Sequence, residues 1–309
     1  MESIPTTIPE TVLAVSSRNL VKRFGTKTAL DGLDLTVPRG SGYALVGPNG
    51  SGKTTTFRIL LDQTRADSGS AELFGLDPAS SGPRVRAGLG YVPERYDFGY
   101  AWMRVSRMIR HHSRYYPRWD RAYAEHLSRA LGIPEKSRFG SLSKGEGRRV
   151  QLLLALAHRP PLLIMDEPMD GLDPLGRDLV QTLLAEHLAA TPTTVLIATH
   201  LIHLVERLID TLGVLRDGRM VAQVRRGNME RCLRSYRAEV PEGWPGAGAL
   251  ERAVLRRSAG KGEITWTVWG EEEAIRQALA ASGAAVREVA PVSLEDAVLA
   301  FLTFREDTG

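Results

Sequence analysis

Eight consecutive residues, Gly47-Pro48-Asn49-Gly50-Ser51-Gly52-Lys53-Thr54, have the types and spacing that hold a phosphate chain. They fit G-x-x-x-x-G-K-[ST] through Gly47, Gly52, Lys53 and Thr54. Glycines let the backbone fold so tightly that successive N–H groups point inward. Lys53 is expected to reach the β- and γ-phosphates as a point charge. Thr54 is expected to place its hydroxyl on Mg²⁺, with Thr55 as a further phosphate contact. Such a loop needs a strand feeding it and a helix leaving it. Tyr43-Ala44-Leu45-Val46 reads as the strand and Thr54 to Leu61 as the helix, whose N-terminus adds partial positive charge.

A second constellation supplies the groups that cut. Leu162-Leu163-Ile164-Met165 is apolar on both faces, as a central strand of a parallel sheet must be, and Asp166-Glu167 follows. The carboxyl end of such a strand is where open α/β sheets bind ligands. Asp166 is expected to hold Mg²⁺ through water. Glu167, one residue on, is displaced from the metal and placed to polarise an attacking water, as general base or hydrogen-bond acceptor. A strand ending in two solvated acids is the plainer alternative; the phosphate loop argues against it.

Taken together the motifs resemble those of the nucleotide-binding subunit of an ATP-binding cassette (ABC) transporter. Leu142-Ser143-Lys144-Gly145-Glu146 stands where that family has LSGGQ, with Lys144 for a glycine and Glu146 for the glutamine. The resemblance implies that Ser143, Lys144, Gly145 and Glu146 meet nucleotide. Ser143 is also a good N-cap, and Val150, Leu153, Leu154 and Ala157 follow the spacing of one buried helix face. Phe24 occupies the place of the adenine-stacking aromatic; a core aromatic is the other reading. Gly90 to Glu94 resembles the Q-loop, with Glu94 in place of glutamine and able to accept from a Mg²⁺-bound water. Gly171-Leu172-Asp173-Pro174 resembles the D-loop, and Ala198-Thr199-His200 the switch histidine, which orients the attacking water. The stretch Tyr115 to Asp120, with LSKGE and Glu94, resembles the Ytr and bacitracin-resistance exporter ATPases.

The resemblance covers residues 12 to 226 and implies an α/β fold. Its P-loop NTPase core carries an antiparallel β subdomain from residues 12 to 40 and an inserted helical subdomain over about 97–140, broken by Pro117 and Pro134. Arg65 to Leu76 is expected to close a strand back onto the β portion. Residues 141 to 226 are expected to alternate helix and strand. Residues 1–11 are expected to be a flexible tail. Residues 227–309 read as a small α+β appendage. Within it GWPGAGA (243–249) is linker-like, Glu263 to Trp269 a strand, Glu271 to Ala281 a helix and Ala285 to Val289 a strand. Ser293 to Phe304 reads as a helix opened by a capping-box pattern.

Composition bounds the partners. At 309 residues and 43% hydrophobic, the chain is long enough for one large domain and a small one. Its one cysteine, Cys232, excludes an internal disulfide and fits a reducing compartment. No apolar run approaches the ~20 residues of a membrane span, and the N-terminus lacks a signal peptide's pattern. The net charge is +4. Arginines cluster from Arg104 to Arg129 among Trp102, Tyr115, Tyr116, Trp119 and Tyr123, a mixture that could suit nucleic acid. The resemblance instead places it against a membrane subunit and makes nucleic acid the weaker reading.

The family pattern implies a dimer of two such chains, identical or paralogous, around two ATP molecules, each signature covering the other chain's P-loop. It implies a peripheral location at the cytoplasmic face of the membrane, with an integral permease as partner and export as the direction. A soluble ABC-type ATPase of translation or DNA repair is the rival, but one cassette and no coiled coil or zinc cluster weigh against it. A P-loop small-molecule kinase would not need the signature, D-loop and switch histidine. A binding-only subunit would not need Lys53, Asp166, Glu167 and His200 together.

Overall fold

In the computed structural model the described residues are 4–6, 12–95, 99–244, 246, 248–260 and 262–304. Two long strands, β1 (Leu13–Phe24) and β2 (Lys27–Pro38), form a hairpin, and β3 (Gly42–Val46) leads into the phosphate loop and α1 (Lys53–Leu60). Then come β4 (Ser68–Leu73), α2 (Gly82–Ala87), β5 (Leu89–Val92), α3 (Val105–Ser113), α4 (Arg121–Ala130) and α5 (Lys144–Leu156). The cassette continues through β6 (Leu162–Asp166), α6 (Pro174–Ala190), β7 (Thr194–Thr199), β8 (Thr211–Arg216) and β9 (Arg219–Arg225). The remainder is α7 (Arg226–Cys232), β10 (Leu233–Glu239), β11 (Val254–Ala259), β12 (Glu263–Trp269), α8 (Glu272–Ala281), β13 (Ala285–Pro291) and α9 (Leu294–Thr303).

The central sheet has the order β5-β6-β7-β3-β8-β9, and its first five strands run parallel. Because side chains alternate across a strand, each strand feeds two layers. Leu45, Ile164, Leu196 and Ala198 pack on Phe57 and Leu60 of α1 and on Leu30, Leu33 and Leu35 of β2. Ala44, Leu163, Met165 and Ile197 pack on Val150, Leu153 and Leu154 of α5 and on Val180 and Leu184 of α6. The register aligns Val46 with Thr199 and Asp166 with Ala198, so three strand ends share one edge of the sheet. The β portion is antiparallel, in the order β2-β1-β4, with β4 lying where the Arg65 to Leu76 stretch is expected to return.

Two expectations need correction. Alternation of helix and strand stops after β8: β8 and β9 form an antiparallel hairpin turned by Asp217 and Gly218, both at positive φ. Nor is α5 amphipathic. Nine of its thirteen residues are buried, including Arg148 and Gln151, because it is enclosed by the sheet and by α3 and α4.

Residues 227–309 contain a four-stranded sheet, β11-β12-β10-β13, packed on Ile275 and Leu279 of α8. The GWPGAGA stretch lies inside this unit, between β10 and β11; its Pro245 and Ala247 fall outside the described residues. Trp244 packs on Trp266 at 5.5 Å and its Nε1 donates to Ser282 O at 2.8 Å. The last helix returns to the cassette. Leu294, Ala297, Ala300 and Phe301 share a core cluster with Ile202, Val205 and Val214, and Arg216 donates to the Leu302 and Phe304 carbonyls, each at 2.7 Å. Ser293 caps α9 by accepting from Asp296 N at 3.1 Å. Of the expected N-terminal tail, Pro5 O accepts from Gln223 N at 2.8 Å, while residues 1–3 and 7–11 lie outside the described residues.

Candidate nucleotide site

The phosphate loop bends where only glycine fits. Gly50 and Gly52 have φ of 84° and 112°, and a Cβ on Gly47 would lie 2.2 Å from Leu215 O. Ser51 N donates to Pro48 O at 3.1 Å, closing the turn. Lys53 Nζ donates to Gly47 O at 2.7 Å and to Pro48 O at 3.2 Å, inside the loop it belongs to. Burial lowers the Lys53 pKa, opposed by the charges of Glu167, Asp166 and Glu94. Phosphate oxygens can replace the two carbonyls and meet the ammonium directly.

Phe24, Asn49, Gly50, Gly52, Lys53, Thr54, Thr55, Glu94, Asp166 and Glu167 line one cleft of about 340 Å³. The sequence named these ten; Lys27 and Ala29 of β2, which complete the lining, it did not. Phe24 is 48% exposed at the end of β1, which disposes of the core-aromatic reading, and Lys22 Nζ stands 5.3 Å from its ring centroid.

Asp166 closes β6 at 1% exposure. Burial pushes its pKa up to about 6; a hydrogen bond with Thr54 acts the other way, and Glu94 and Glu167 raise it further. Its Oδ2 is buried without a hydrogen-bond partner in the protein, a cost that a cation or its water would relieve. A buried lone carboxylate oxygen beside a threonine hydroxyl suits a hard ion such as Mg²⁺. Among the described residues no group of three or more His, Cys, Asp or Glu could hold a metal unaided. The remaining ligands would therefore be phosphate oxygens and water.

Glu167 sits just past the strand with φ of 47°, a left-handed conformation rare for a side-chain-bearing residue. That turn lifts the carboxylate out of the strand direction and onto the end of β7. Oε1 accepts from His200 N at 3.0 Å and meets His200 Nδ1 at 2.7 Å; Oε2 accepts from Thr199 Oγ1 at 2.9 Å. His200 therefore joins the site through Glu167 rather than by lining the cleft.

The signature residues lie elsewhere. Ser143 and Glu146 form a reciprocal capping box: Ser143 Oγ accepts from Glu146 N at 3.2 Å, and Glu146 Oε2 accepts from Ser143 N at 2.8 Å. Lys144 Nζ pairs with Asp170 at 2.7 Å, and a Cβ on Gly145 would be 3.0 Å from Gly171 O. Asp173 caps α6 by accepting from Gly176 N at 3.0 Å. Ser143, Lys144 and Asp173 are exposed and Gly145 and Glu146 half-buried; together they form a second cluster, none of them lining the cleft.

Arg148 escaped the sequence reading. It is 1% exposed and reaches the loop after β5: Nη2 donates to Glu94 O at 2.7 Å and Nη1 to Pro93 O. The available signal was a charged residue four places into a helix otherwise bound for the core. The aromatics of the basic stretch are largely engaged internally. Tyr116 stacks on His158 at 3.9 Å, and Tyr123 OH meets His187 Nδ1 at 3.0 Å, leaving Trp102 and Tyr115 exposed.

Comparison with known proteins follows this geometry. The ABC transporter family pattern matches residues 30–170. A Nod factor export ATP-binding protein I of Burkholderia lata is 37% identical over 217 residues, covering 69% of this chain and 71% of its own. The ABC transporter ATP-binding protein YtrB of Bacillus subtilis is 33% identical over 205 residues, covering 66% and 69%. A solved structure described as the ATP binding subunit of an ABC transporter superposes with a TM-score of 0.64 at 26% identity, covering 70% of this chain and 92% of its own. With phosphate loop, carboxylate strand and signature helix in the family's arrangement, the chain belongs to the ATP-binding ATPase subunits of ABC transporters.

Proposed function

We propose that two copies of this chain, or one copy and a paralogue, close head to tail around two Mg²⁺–ATP and so drive a separate membrane permease in the direction of export. The observation that carries this is the separation of two half-sites on one chain. The cleft holds Lys53, Thr54, Asp166 and Glu167, while the Ser143–Glu146 cluster lies outside it. A second copy placed by a 2-fold axis would complete both sites reciprocally. Leu175, 81% exposed beside the D-loop, is an apolar residue that such a contact would cover.

In this reading Phe24 stacks on adenine, residues 47–52 present backbone N–H groups to the phosphates, and Lys53 moves from its carbonyls to the β- and γ-oxygens. Thr54 and Asp166 would hold Mg²⁺, with Glu94 accepting from one of its waters, and the ion when bound would supply positive charge against the phosphate chain. Glu167, oriented by Thr199 and His200, takes the proton of the attacking water. Ser143 Oγ and the N-terminus of α5 approach the γ-phosphate of the other copy, with Lys144, Gly145 and Glu146 around it and Asp173 at the facing loop. Loss of the γ-phosphate removes a contact made only in the closed state, so the dimer opens. The relatives act in Nod factor export and as ABC transporter ATP-binding proteins, which supports export by this chain. No helix among the described residues is long and apolar enough to cross a membrane, which accords with a peripheral subunit at the cytoplasmic face.

The test is nucleotide-dependent association. With Mg²⁺ present, a non-hydrolysable ATP analogue is expected to convert the protein to a dimer in sedimentation experiments, and Lys53→Ala to weaken ATP binding by about 10-fold or more and abolish dimerisation. An unaltered ATP dissociation constant in Lys53→Ala would contradict the phosphate-cradle assignment. ATP binding without any dimer would contradict the head-to-tail arrangement.

A further inference from the structure

Arg148 is among the largest fully buried side chains of the protein, yet it is a cation. Removing a guanidinium from water is costly, and an apolar residue of the same volume is often at least as stable. What the guanidinium supplies instead is a rigid fork of directed donors, and every branch of it is used. Nη1 donates to Pro93 O and, at 3.0 Å, to Gln151 Oε1; Nη2 donates to Glu94 O at 2.7 Å; Nε reaches Asp170 O at 3.4 Å. Gln151, one turn further along α5, donates its Nε2 to Arg95 O at 3.0 Å. Three successive carbonyls of the Glu94 loop and one carbonyl of the turn after Glu167 therefore converge on two side chains of one helix.

The same turn is gripped a second time from that helix. Lys144, the first residue of α5, pairs with the Asp170 carboxylate at 2.7 Å, and its methylenes fill the space where a Cβ on Gly171 would lie, 2.6 Å from Lys144 Cγ. The last register pair between β5 and β6 is Val92 with Met165. Beyond it, these α5 side chains link the loop that touches nucleotide to the turn that leads into Asp173.

We propose that Arg148 is a positioning residue that ties the Glu94 loop to the Asp170–Asp173 turn, so that nucleotide in the cleft sets the surface this chain offers to a second copy. The proposal rests on the head-to-tail reading above and adds the internal link that reading lacks. One body then carries the Glu94 loop, the signature N-terminus and the D-loop. Nucleotide at one site thereby biases the geometry of the other, as an equilibrium coupling requires.

Hydrogen exchange on the full chain tests it, with Mg²⁺ and ATP, the latter as its non-hydrolysable analogue so that no turnover occurs. In the native protein ATP is expected to slow exchange in residues 47–54, 90–95 and 169–173. In Arg148→Met, which keeps the apolar stem and loses the fork, protection at 47–54 and the ATP dissociation constant should stay within about 3-fold of native. ATP-induced protection at 169–173 should fall by about 5-fold or more, and the Hill coefficient of hydrolysis should drop from about 2 toward about 1. Arg148→Lys, which restores charge without the fork, should behave as Arg148→Met does; full rescue by lysine would overturn the proposal. So would native-like protection at 169–173 in Arg148→Met. Should Arg148→Met fail to fold, Gln151→Leu carries the test, with about a 2-fold loss expected at 169–173 and no loss overturning the link. Absent protection at 47–54 in the native protein would instead defeat the nucleotide reading itself.

Discussion

Glu167→Gln is expected to lower the rate of ATP hydrolysis by about 10²–10⁴-fold, the usual contribution of a positioned proton acceptor, with ATP binding retained. The substitution is close to isosteric. A glutamine carbonyl can still accept from His200 N, and its amide nitrogen can still donate to Thr199 Oγ1, so the contacts at 3.0 and 2.9 Å have substitutes. What disappears is the ability to take a proton from water. Phosphate release measured beside nucleotide affinity separates the roles: a large fall in turnover with unchanged affinity supports the base assignment, and unchanged turnover refutes it. In the proposed function, loss of the γ-phosphate contact opens the dimer, so the variant should also accumulate as a closed ATP-bound dimer. The left-handed backbone at Glu167, φ 47°, stores strain on the order of 1–3 kcal/mol. That strain is consistent with the carboxylate direction being selected for the reaction rather than for stability.

The cleft was legible in the sequence because its parts are local. A phosphate loop needs glycines at fixed offsets, and a parallel strand that ends in Asp166-Glu167 needs an apolar run just before it. Both patterns are contiguous, and the cleft gathers every P-loop and carboxylate residue they name, apart from Gly47, Pro48 and Ser51, which shape the loop from behind. The capping box at Ser143 was half legible: serine marked the cap, while Glu146, noted only as a departure from glutamine, proves to be its reciprocal partner. What stayed hidden depends on tertiary enclosure. Arg148 and Gln151 have ordinary positions on a helix wheel, and only the sheet on one side with α3 and α4 on the other makes them buried. The β8–β9 hairpin was missed because two short apolar strands without a helix between them leave no period that separates them from a βαβ unit. The return of α9 onto the cassette was equally unreadable, since its apolar face says that it is covered and not by what.

Acidification is expected to loosen the junction between the helical region and the body of the cassette. His112, His158 and His187 meet there, packed with Tyr116, Trp119 and Tyr123. Burial lowers each of their pKa values to about 4, reinforced at His158 by the charges of His112, His187 and Arg118, at His112 by His111, and at His187 by Arg159. His158 Nε2 is buried with no partner, and His187 uses both ring nitrogens, toward Tyr123 OH and Thr193 Oγ1. Above about pH 6.5 folded and unfolded chains are both neutral at these positions, so no penalty exists. Between about pH 6.5 and 4 the unfolded chain binds protons that the folded chain refuses, and stability falls by about 1.4 kcal/mol per pH unit for each histidine. Below about pH 4 the folded form also charges and the loss levels off. Asp166, raised to about 6, acts with the opposite sign. It binds a proton in the folded chain first and returns on the order of 1 kcal/mol at pH 5. The net loss from pH 7.5 to pH 5 should still be on the order of 4 kcal/mol, a large part of an ordinary domain's stability. Urea unfolding at the two pH values measures it, and His158→Phe, which keeps the stack on Tyr116, should shrink the difference by nearly half, about 2 kcal/mol. Equal stability at pH 7.5 and 5, or a His158→Phe variant with the native pH dependence, would show that these histidines accept protons without unfolding the junction.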